Sequence, residues 1–160
     1  MIEGKIAVVT GGSRGIGRAI AAELAGNGYY IIFTYKSNDD AAQETLNLIR
    51  DAGGEGEALK FDVADSAETE KHMTEVSSRV KNIDVLVNNA GITADGLFMM
   101  MPEHDWDAVI NTTLKGFYNM TKPAIRKMAR NKKGSIVSIS SVAALIPNRG
   151  QVNYSAAKSG

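Results

Sequence analysis

The sequence predicts an α/β fold in which a doubly wound parallel sheet lies between two helical layers. Three observations lead to this class. Short apolar runs, several of them rich in valine and isoleucine, alternate with longer amphipathic segments along all 160 residues. Most runs lack the polar alternation of a half-solvated strand, as expected where helices cover both faces of a sheet. Their order is βαβαβαβαβ with one more helix beginning at the end, a pattern typical of a parallel sheet.

Glycines and apolar runs define the first two strands and helices. The run KIAVVT at 5–10 predicts the first strand, and the glycine-rich turn after it leads into a helix at 15–27 that ends at Gly28. The run YYIIFT predicts a strand at 29–34, and an amphipathic segment predicts a helix at 39–52. Each strand is therefore followed by the helix of a crossover connection.

The second half of the chain repeats this alternation. Asp65, with Glu68 three residues later, forms a capping signal that opens the third helix. The remaining strands are predicted at 57–61, 83–88 and 135–140, and the remaining helices at 66–80 and 103–131, with a last helix beginning near 153. In such a sheet the ligand crevice lies at the carboxyl ends of the strands.

Composition and charge exclude several classes of protein. Eighteen basic residues balance eighteen acidic ones, so no net field draws the chain to nucleic acid or to an anionic membrane. There is no cysteine for a disulfide, and the apolar runs are too short to span a bilayer. His72 and His104 lack the spacing of metal ligands, so no metal site is predicted. We expect residues 1–160 to form a single domain of a cytoplasmic protein.

A glycine-rich turn, TGGSRGIG at 10–17, follows the first strand. Its glycines allow backbone amides to approach a pyrophosphate at the start of the next helix, where the helix dipole favours an anion. The spacing G-x-x-x-G-x-G differs from the commoner G-x-G-x-x-G. A glycine-rich turn between a strand and a helix can also be required by the backbone conformation alone, without binding a ligand. Its place after the first strand favours a dinucleotide site. The predicted cofactor contacts here are Gly11, Ser13, Arg14, Gly15, Ile16 and Gly17.

The end of the second strand indicates which dinucleotide is bound. An acidic residue there would bind the adenosine ribose and repel a 2′-phosphate, but the sequence has Lys36. Lys36 could hold that phosphate together with Ser13 and Arg14, so we predict NADP(H) over NAD(H). Asp62, after the third strand, is expected next to the adenine. Asp39 is the rival acidic residue, although we expect it to begin the second helix.

Further motifs make the chain resemble a known family. NNAG at 88–91 directly follows the fourth strand, and Tyr154 and Lys158 form a YxxxK motif. Ser141 lies thirteen residues before Tyr154. With TGGSRGIG, and in this order, these motifs resemble the signatures of the short-chain dehydrogenase/reductases over all 160 residues. They are most like those of the reductases that act on 3-oxoacyl groups carried on acyl carrier protein. The resemblance implies a Rossmann-type fold with seven strands, of which five are present.

The resemblance also implies roles for individual residues. Residues four apart on a helix share a face, and a nearby ammonium favours the ionised form of a phenol. Tyr154 is therefore expected to protonate the carbonyl oxygen as hydride arrives, while Lys158 also holds the nicotinamide ribose. Ser141 would donate a hydrogen bond to that oxygen, and Asn111 would anchor a water that passes protons toward Lys158. The other implied cofactor contacts are Tyr35, Val63, Asn88, Ala90 and Gly91.

Each of these motifs has a plainer interpretation. A Tyr/Lys pair at helical spacing is usually a solvated face, and a chain with this fold could bind a dinucleotide without catalysing a reaction. Within the enzyme class, sugars, steroids, acetoacetyl-CoA and other small alcohols or ketones stay open as substrates. The apolar run LFMMM at 97–101 is more often core than substrate pocket, although its place beyond NNAG makes it a candidate wall for an acyl chain.

Partners are predicted mainly from the resemblance. The expected substrate is an acyl thioester, and an acidic carrier protein could dock on a basic cluster that otherwise suits a helix carboxyl end. This cluster consists of Arg126, Lys127, Arg130, Lys132 and Lys133. Family members pair the helix at 103–131 and the last helix with a second subunit, so we expect a homodimer or tetramer. The apolar residues of that face are Val109, Leu114, Phe117 and Met128, for which burial in the subunit's own core is an equal explanation.

Members of this family are longer than this chain. We therefore expect residues 1–160 to be part of a longer polypeptide, and the fifth strand to form an exposed edge of the sheet. The last helix has about eight residues, fewer than the roughly 12–15 at which an isolated helix is even marginally stable. Residues 1–160 alone are accordingly expected to bind NADPH poorly and to reduce no ketone.

Overall fold

The computed structural model describes Met1–Gly160 and contains one five-stranded parallel sheet. The strands are β1 (Lys5–Val9), β2 (Tyr29–Tyr35), β3 (Gly56–Lys60), β4 (Val85–Asn88) and β5 (Ser135–Ser138). Their order across the sheet is β3-β2-β1-β4-β5, and every neighbouring pair is parallel. The chain thus changes direction across the sheet at β1, which is where doubly wound sheets open a ligand crevice. The predicted fold class is confirmed.

Six α-helices connect and cover the strands. They are α1 (Gly15–Gly26), α2 (Asp39–Asp51), α3 (Ser66–Arg79), α4 (Glu103–Ile110), α5 (Gly116–Asn131) and α6 (Val152–Ser159). The predicted capping signal of α3 is confirmed, because the Asp65 carboxylate accepts hydrogen bonds from the amides of Ala67 and Glu68 at 2.8 and 2.9 Å. None of the helices has the length and apolar character needed to cross a membrane.

The single long helix predicted at 103–131 is interrupted. A π-helical turn, Asn111–Lys115, separates α4 from α5. The first residue after it, Gly116, packs so closely on Val63 that a Cβ there would lie 2.8 Å from Val63 Cγ2. Single π-turns inside helices occur mostly at functional sites. This one lies below the carboxyl end of β4, where the candidate site forms.

Two apolar clusters sandwich the sheet. In β1, Ile6 and Val8 face one side while Ala7 and Val9 face the other, as the two-residue period of a strand requires. Helices α3 and α5 cover the first side, and α1 and α2 cover the second. The predicted three-layer arrangement is therefore confirmed, and the central strands are buried on both faces.

Strand β5 differs from the prediction of a buried strand. It pairs with β4 on one side only, and its other edge has no partner. As a result Ile136 and Val137 stay 40% and 45% exposed. The expectation that the fifth strand forms an exposed edge is confirmed.

Two predictions about apolar residues are resolved by burial. The run at 97–101 is not core, because Phe98, Met99 and Met100 are 68%, 87% and 76% exposed on a 3₁₀ turn. Val109 and Met128, by contrast, are buried in the subunit itself. The core interpretation of the LFMMM run is wrong, and Val109 and Met128 are not available for a subunit interface.

Candidate active site

The glycine-rich turn joins the end of β1 to the start of α1. Gly11 (φ 65°) and Gly15 (φ 55°) have left-handed backbone, which residues with a Cβ rarely adopt. Gly17 is constrained by space instead, because a Cβ there would lie 2.5 Å from Asn89 Nδ2 and would clash with the carbonyl oxygen of Gly11. All three predicted glycines are therefore required by the local geometry.

Side chains at the ends of β1 and β4 lock this turn beside the NNAG motif. The Thr10 hydroxyl accepts hydrogen bonds from the amides of Asn89 and Ala90, each at 2.9 Å. The Asn89 side-chain amide donates to the carbonyl oxygens of Thr10 and Gly11, at 2.9 and 3.2 Å. Thr10 and Asn89 were not predicted as site residues. Their position in the sequence could have indicated this role, because each is a polar residue at the end of one of two adjacent strands.

A groove of about 500 Å³ opens at this edge of the sheet. The predicted cofactor residues that line it are Gly11, Ser13, Arg14, Gly15, Ile16, Tyr35, Lys36, Asp62, Val63, Ala90 and Gly91. Gly17 does not line it, because it is buried behind the turn, and Asn88 faces a second cavity. Residues from the ends of four adjacent strands, β3, β2, β1 and β4, thus form one continuous surface.

Lys36 and Asp62 form an ion pair at one end of the groove. The Lys36 ammonium lies 2.7 Å from an Asp62 carboxylate oxygen. Burial alone would raise the pKa of Asp62, but hydrogen bonds from Lys36 and from the Ala64 amide, with the charge of Lys36, hold that pKa below its usual value. The carboxylate is therefore ionised at neutral pH and holds the lysine at the groove.

The rival acidic residue, Asp39, is directed elsewhere. It is the first residue of α2, as predicted, and does not line the groove. Its carboxylate accepts hydrogen bonds from the Tyr35 hydroxyl at 2.9 Å and from Lys60 at 2.8 Å, and both interactions lower its pKa. No carboxylate other than Asp62 lines this groove.

Lys158 lies on α6, one turn beyond Tyr154. Its ammonium donates a hydrogen bond to the Ile139 carbonyl oxygen at 2.6 Å and lies 5.8 Å from the centroid of the Tyr154 ring. Lys158 is partly buried, and burial lowers the pKa of its ammonium. The predicted Tyr/Lys pair is therefore held together, with the cation over the ring and largely out of water.

The segment after β5 holds α6 in place. The Ser140 hydroxyl donates to the Lys158 carbonyl oxygen at 3.0 Å, and the Ser159 hydroxyl donates to the Ala144 carbonyl oxygen at 3.0 Å. Ser141 lies between these two anchors, and its hydroxyl accepts a hydrogen bond from the Ala143 amide at 3.2 Å. The structure thus brings the predicted Ser141 to the segment that packs directly against α6.

A second pair with the same spacing lies on α5. Tyr118 and Lys122 also form a YxxxK motif, and the Lys122 ammonium donates to the Tyr118 hydroxyl at 2.9 Å. This hydrogen bond lowers the pKa of Tyr118. Both side chains are exposed, however, whereas Tyr154 and Lys158 are partly buried and Lys158 lines a cavity with Thr10 of the glycine-rich turn. The spacing alone therefore does not define the site, whereas burial beside the turn does.

Asn111 is the first residue of the π-helical turn and is exposed. Like Tyr154 and Ser141, it lines neither of the two cavities at the strand ends, and its predicted role stays a prediction. Thr113, two residues later, is buried. A Cβ placed on Gly91 would lie 3.3 Å from the Thr113 hydroxyl oxygen and 3.5 Å from the Lys158 ammonium. The π-turn therefore places Thr113 close to Lys158.

A smaller cavity of about 160 Å³ lies under Lys158. Thr113 and Asn88 line it, and the Thr113 hydroxyl oxygen and the Asn88 amide oxygen are buried without a hydrogen-bond partner. Buried polar atoms are almost always paired, often through ordered water. The cavity has the volume and the polar partners that a water needs, and it reaches Lys158.

Comparison with protein families and with curated proteins gives consistent matches. Residues 5–160 match the family model described as short chain dehydrogenase. The chain is 44% identical over 156 residues to 3-oxoacyl-[acyl-carrier-protein] reductase FabG of Staphylococcus aureus strain Mu50, covering 98% of this chain and 63% of that protein. It is 42% identical over 158 residues to the FabG of Escherichia coli K12, covering 99% of this chain and 63% of that protein. The chain thus spans less than two thirds of these relatives.

A solved structure shares the fold. A short-chain alcohol dehydrogenase candidate from Sinorhizobium meliloti 1021 superposes with a TM-score of 0.92 at 34% sequence identity. The match covers 99% of this chain and 63% of the other. The whole of the described fold is therefore shared with that structure.

Proposed function

The chain belongs to the short-chain dehydrogenase family, and from that premise we propose that the protein is an NADPH-dependent reductase of 3-oxoacyl thioesters. One observation carries the proposal: Lys158, whose ammonium lies over the partly buried Tyr154 ring, lines a cavity together with Thr10 of the glycine-rich turn and Ala90 of the NNAG motif. The reductases named above, at 42% and 44% identity, support the choice of substrate class. In this proposal residues 1–160 act as one dinucleotide-binding domain.

The residues of the groove fit a nicotinamide dinucleotide. Backbone amides at the start of α1 face an open turn that has no Cβ at Gly11 or Gly15, so a pyrophosphate can approach closely. Asp62 and Val63 would contact the adenine, Tyr35 and Lys36 the adenosine ribose and its phosphate, and the nicotinamide half would lie along Asn88 to Gly91. When bound, the reduced nicotinamide supplies hydride to the carbonyl carbon.

The chain's own residues supply the proton. Tyr154 donates its hydroxyl proton to the substrate oxygen, and the Lys158 ammonium stabilises the phenolate that remains. Ser141 donates a hydrogen bond to the same oxygen, which favours the developing negative charge. We propose that Thr113 and Asn88 also hold a water there, because their unpaired oxygens share a cavity with Lys158.

A spectrophotometric assay tests the proposed function. Absorbance at the nicotinamide band should fall when the longer polypeptide expected to contain residues 1–160 is mixed with NADPH and an acetoacetyl thioester. A panel containing a sugar, a steroid and a simple ketone measures the preference for thioesters. Dinucleotide binding without turnover of any carbonyl would instead identify a catalytically silent binding subunit and would overturn the proposal.

We predict that Lys36 sets the preference for NADPH. Replacing Lys36 with alanine should weaken NADPH binding about tenfold, because one charge-assisted hydrogen bond to the 2′-phosphate is lost, and should leave NADH binding unchanged. Fluorescence titration with each cofactor measures both dissociation constants. Lys60→Ala is the matched control, because Lys60 pairs with Asp39 outside the groove. Equal affinities of the native protein for NADPH and NADH would refute the assignment.

Two exposed surfaces suit the proposed substrate. The apolar side chains of the 3₁₀ turn Phe98–Met100 are uncovered and follow the NNAG segment, so we propose that they contact the acyl chain. Several cations near the end of α5 are already engaged, since Arg126 pairs with Glu70 and Lys133 pairs with Asp84. Arg130 and Lys132 form no ion pair and are the cations that we assign to an acidic carrier protein.

We also propose that the protein self-associates through α5. Phe117 and Ile125 leave 38% and 47% of their surface exposed on this helix, which is more apolar area than a solvated helix needs. Multi-angle light scattering at micromolar concentration should give the mass of a dimer or tetramer. A monomer mass would contradict this prediction, and Ile125→Lys should shift an existing oligomer toward monomer.

A further inference from the structure

Asn153 is the most completely buried polar residue next to the candidate catalytic tyrosine. It is 0% exposed and directly precedes Tyr154 in the first turn of α6. A buried amide side chain is costly unless its donors and its acceptor are paired. Both the amide nitrogen and the oxygen of the Asn153 side chain are paired, and each partner belongs to a different part of the site.

The acceptor of Asn153 is directed at Tyr154. Its side-chain oxygen accepts a hydrogen bond from the Tyr154 backbone amide at 2.8 Å. That amide is one of the first-turn N–H groups for which a helix provides no internal partner. The side chain of Asn153 therefore fixes the backbone from which the Tyr154 phenol projects.

The donors of Asn153 are directed at two other elements. Its side-chain nitrogen donates to the Ala94 carbonyl oxygen at 2.9 Å and, at 3.4 Å, to the Asp105 carbonyl oxygen in the first turn of α4. Ala94 belongs to the segment that runs from NNAG to the exposed apolar turn Phe98–Met100. One amide thus connects the tyrosine to the proposed acyl-chain surface and to the helix that leads into Thr113.

The other links between these segments lie nearer to solvent. Gln151 donates to the Asp95 carboxylate at 3.1 Å through exposed side chains, and the Gly96 amide donates to the Gly150 carbonyl oxygen at 2.8 Å. Exposed hydrogen bonds of this kind compete with water and contribute little rigidity. Asn153 is therefore the buried connection on which the position of Tyr154 depends.

We propose that Asn153 is a positioning residue, whose amide holds Tyr154 in register with Lys158 and with the segment that carries the acyl-chain surface. This inference rests on the proposed function, because it assigns Asn153 to the orientation of the proposed proton donor. It does not place Asn153 in contact with the substrate.

Hydrogen exchange tests the positioning without any assay of activity. In Asn153→Ala the Tyr154 backbone amide loses its side-chain acceptor, so it should exchange faster with solvent deuterium, as a first-turn amide without a partner does. In Gln151→Ala, which removes only an exposed link, the Tyr154 amide should exchange at the native rate.

Turnover provides the second readout. At saturating substrate, Asn153→Ala should lose roughly 10–100-fold in kcat, the effect of a misplaced catalytic group, while the Kd for NADPH stays within about twofold. Asn153→Ser keeps an oxygen that can accept from the Tyr154 amide, so it should recover part of the kcat. All variants are compared at a temperature where circular dichroism shows each one folded, which removes loss of fold as an explanation.

The outcomes separate the two proposals. An unchanged exchange rate of the Tyr154 amide in folded Asn153→Ala, or equal kcat values for the alanine and serine variants, would overturn the positioning role. If the native protein reduces no carbonyl, the proposed function fails, but hydrogen exchange still decides whether Asn153 positions Tyr154.

Discussion

Replacing Tyr154 with phenylalanine is expected to lower turnover by at least ~10²–10⁴, the usual contribution of a positioned general acid. The substitution removes one hydroxyl and keeps the ring that lies 5.8 Å from the Lys158 ammonium. Cofactor binding should survive, because the ring and the cation keep their places. Steady-state kinetics with an acetoacetyl thioester, together with a fluorescence titration of NADPH, separates the two effects.

The chain itself offers a matched control for this experiment. Tyr118 has the same YxxxK spacing and a direct hydrogen bond from Lys122, but both residues are exposed on α5. Tyr118→Phe should therefore leave kcat within about twofold of the native value, as surface substitutions usually do. Near-native turnover of Tyr154→Phe would show that the proton comes from elsewhere and would end the proposed mechanism.

The comparison of these two tyrosines shows why part of the site could not be predicted from the sequence. The YxxxK spacing places Tyr and Lys on one helical face in both cases, so periodicity cannot distinguish them. What differs is burial, which lowers the pKa of Lys158 and comes from residues distant in sequence, such as Ile139 at the end of β5. Only the resemblance to a family, through the order of its motifs, favoured Tyr154 and Lys158 in advance.

The strands and most helix ends could be predicted from the sequence because the signals that mark them are local. β1 and β2 are continuous apolar runs, and Gly28 and Asp65 mark helix boundaries within one or two residues of those observed. The π-helical turn had no such signal. NTTLK contains neither proline nor glycine, and its irregular bonding follows from packing against neighbouring elements, including the close contact of Gly116 with Val63.

Thr113 is a residue of that turn which sequence reasoning missed. In a regular helix, residues two apart point about 200° apart, so Asn111 and Thr113 could not both face Lys158. The resemblance named Asn111, and nothing in the sequence indicated that the π-turn would bury Thr113. Exposure of Asn111 and burial of Thr113 beside Lys158 are tertiary outcomes.

The apolar run at 97–101 illustrates the same limit for hydrophobicity. Five apolar residues in a row have the composition of a core segment, and nothing in their order shows that the rest of the chain fails to cover them. In the fold they follow NNAG onto an exposed 3₁₀ turn. Their exposure is therefore a better indication of a binding surface than their composition was.

Gly17→Ala is the substitution that we expect to damage cofactor binding most. The added methyl group would clash with the Gly11 carbonyl oxygen and would lie 2.5 Å from Asn89 Nδ2, and both neighbours are held by hydrogen bonds at the ends of β1 and β4. Overpacking of this kind costs about 1–3 kcal/mol of stability. The larger expected effect is on function, because relief of the clash would displace the turn whose amides we propose to bind the pyrophosphate.

The expected loss of NADPH affinity follows from the hydrogen bonds that the displaced turn would no longer make. Each bond to a charged group contributes about 1.5–3 kcal/mol, so misalignment of two such amides should raise the Kd of NADPH by on the order of 10²-fold or more. Isothermal titration measures that constant, and thermal unfolding measures the stability loss separately.

Gly26→Ala makes the same change in the same helix with the opposite expectation. A Cβ at Gly26 would meet only Ala52, at an ordinary 3.8 Å, and alanine is favoured over glycine in a helix by about 1 kcal/mol. This variant should be as stable as the native protein or more stable, with unchanged NADPH affinity. Gly17→Ala could instead match Gly26→Ala in both stability and NADPH affinity. The turn would then have space for a methyl group at residue 17, contrary to the structure, and the groove at the end of β1 could not be the pyrophosphate site.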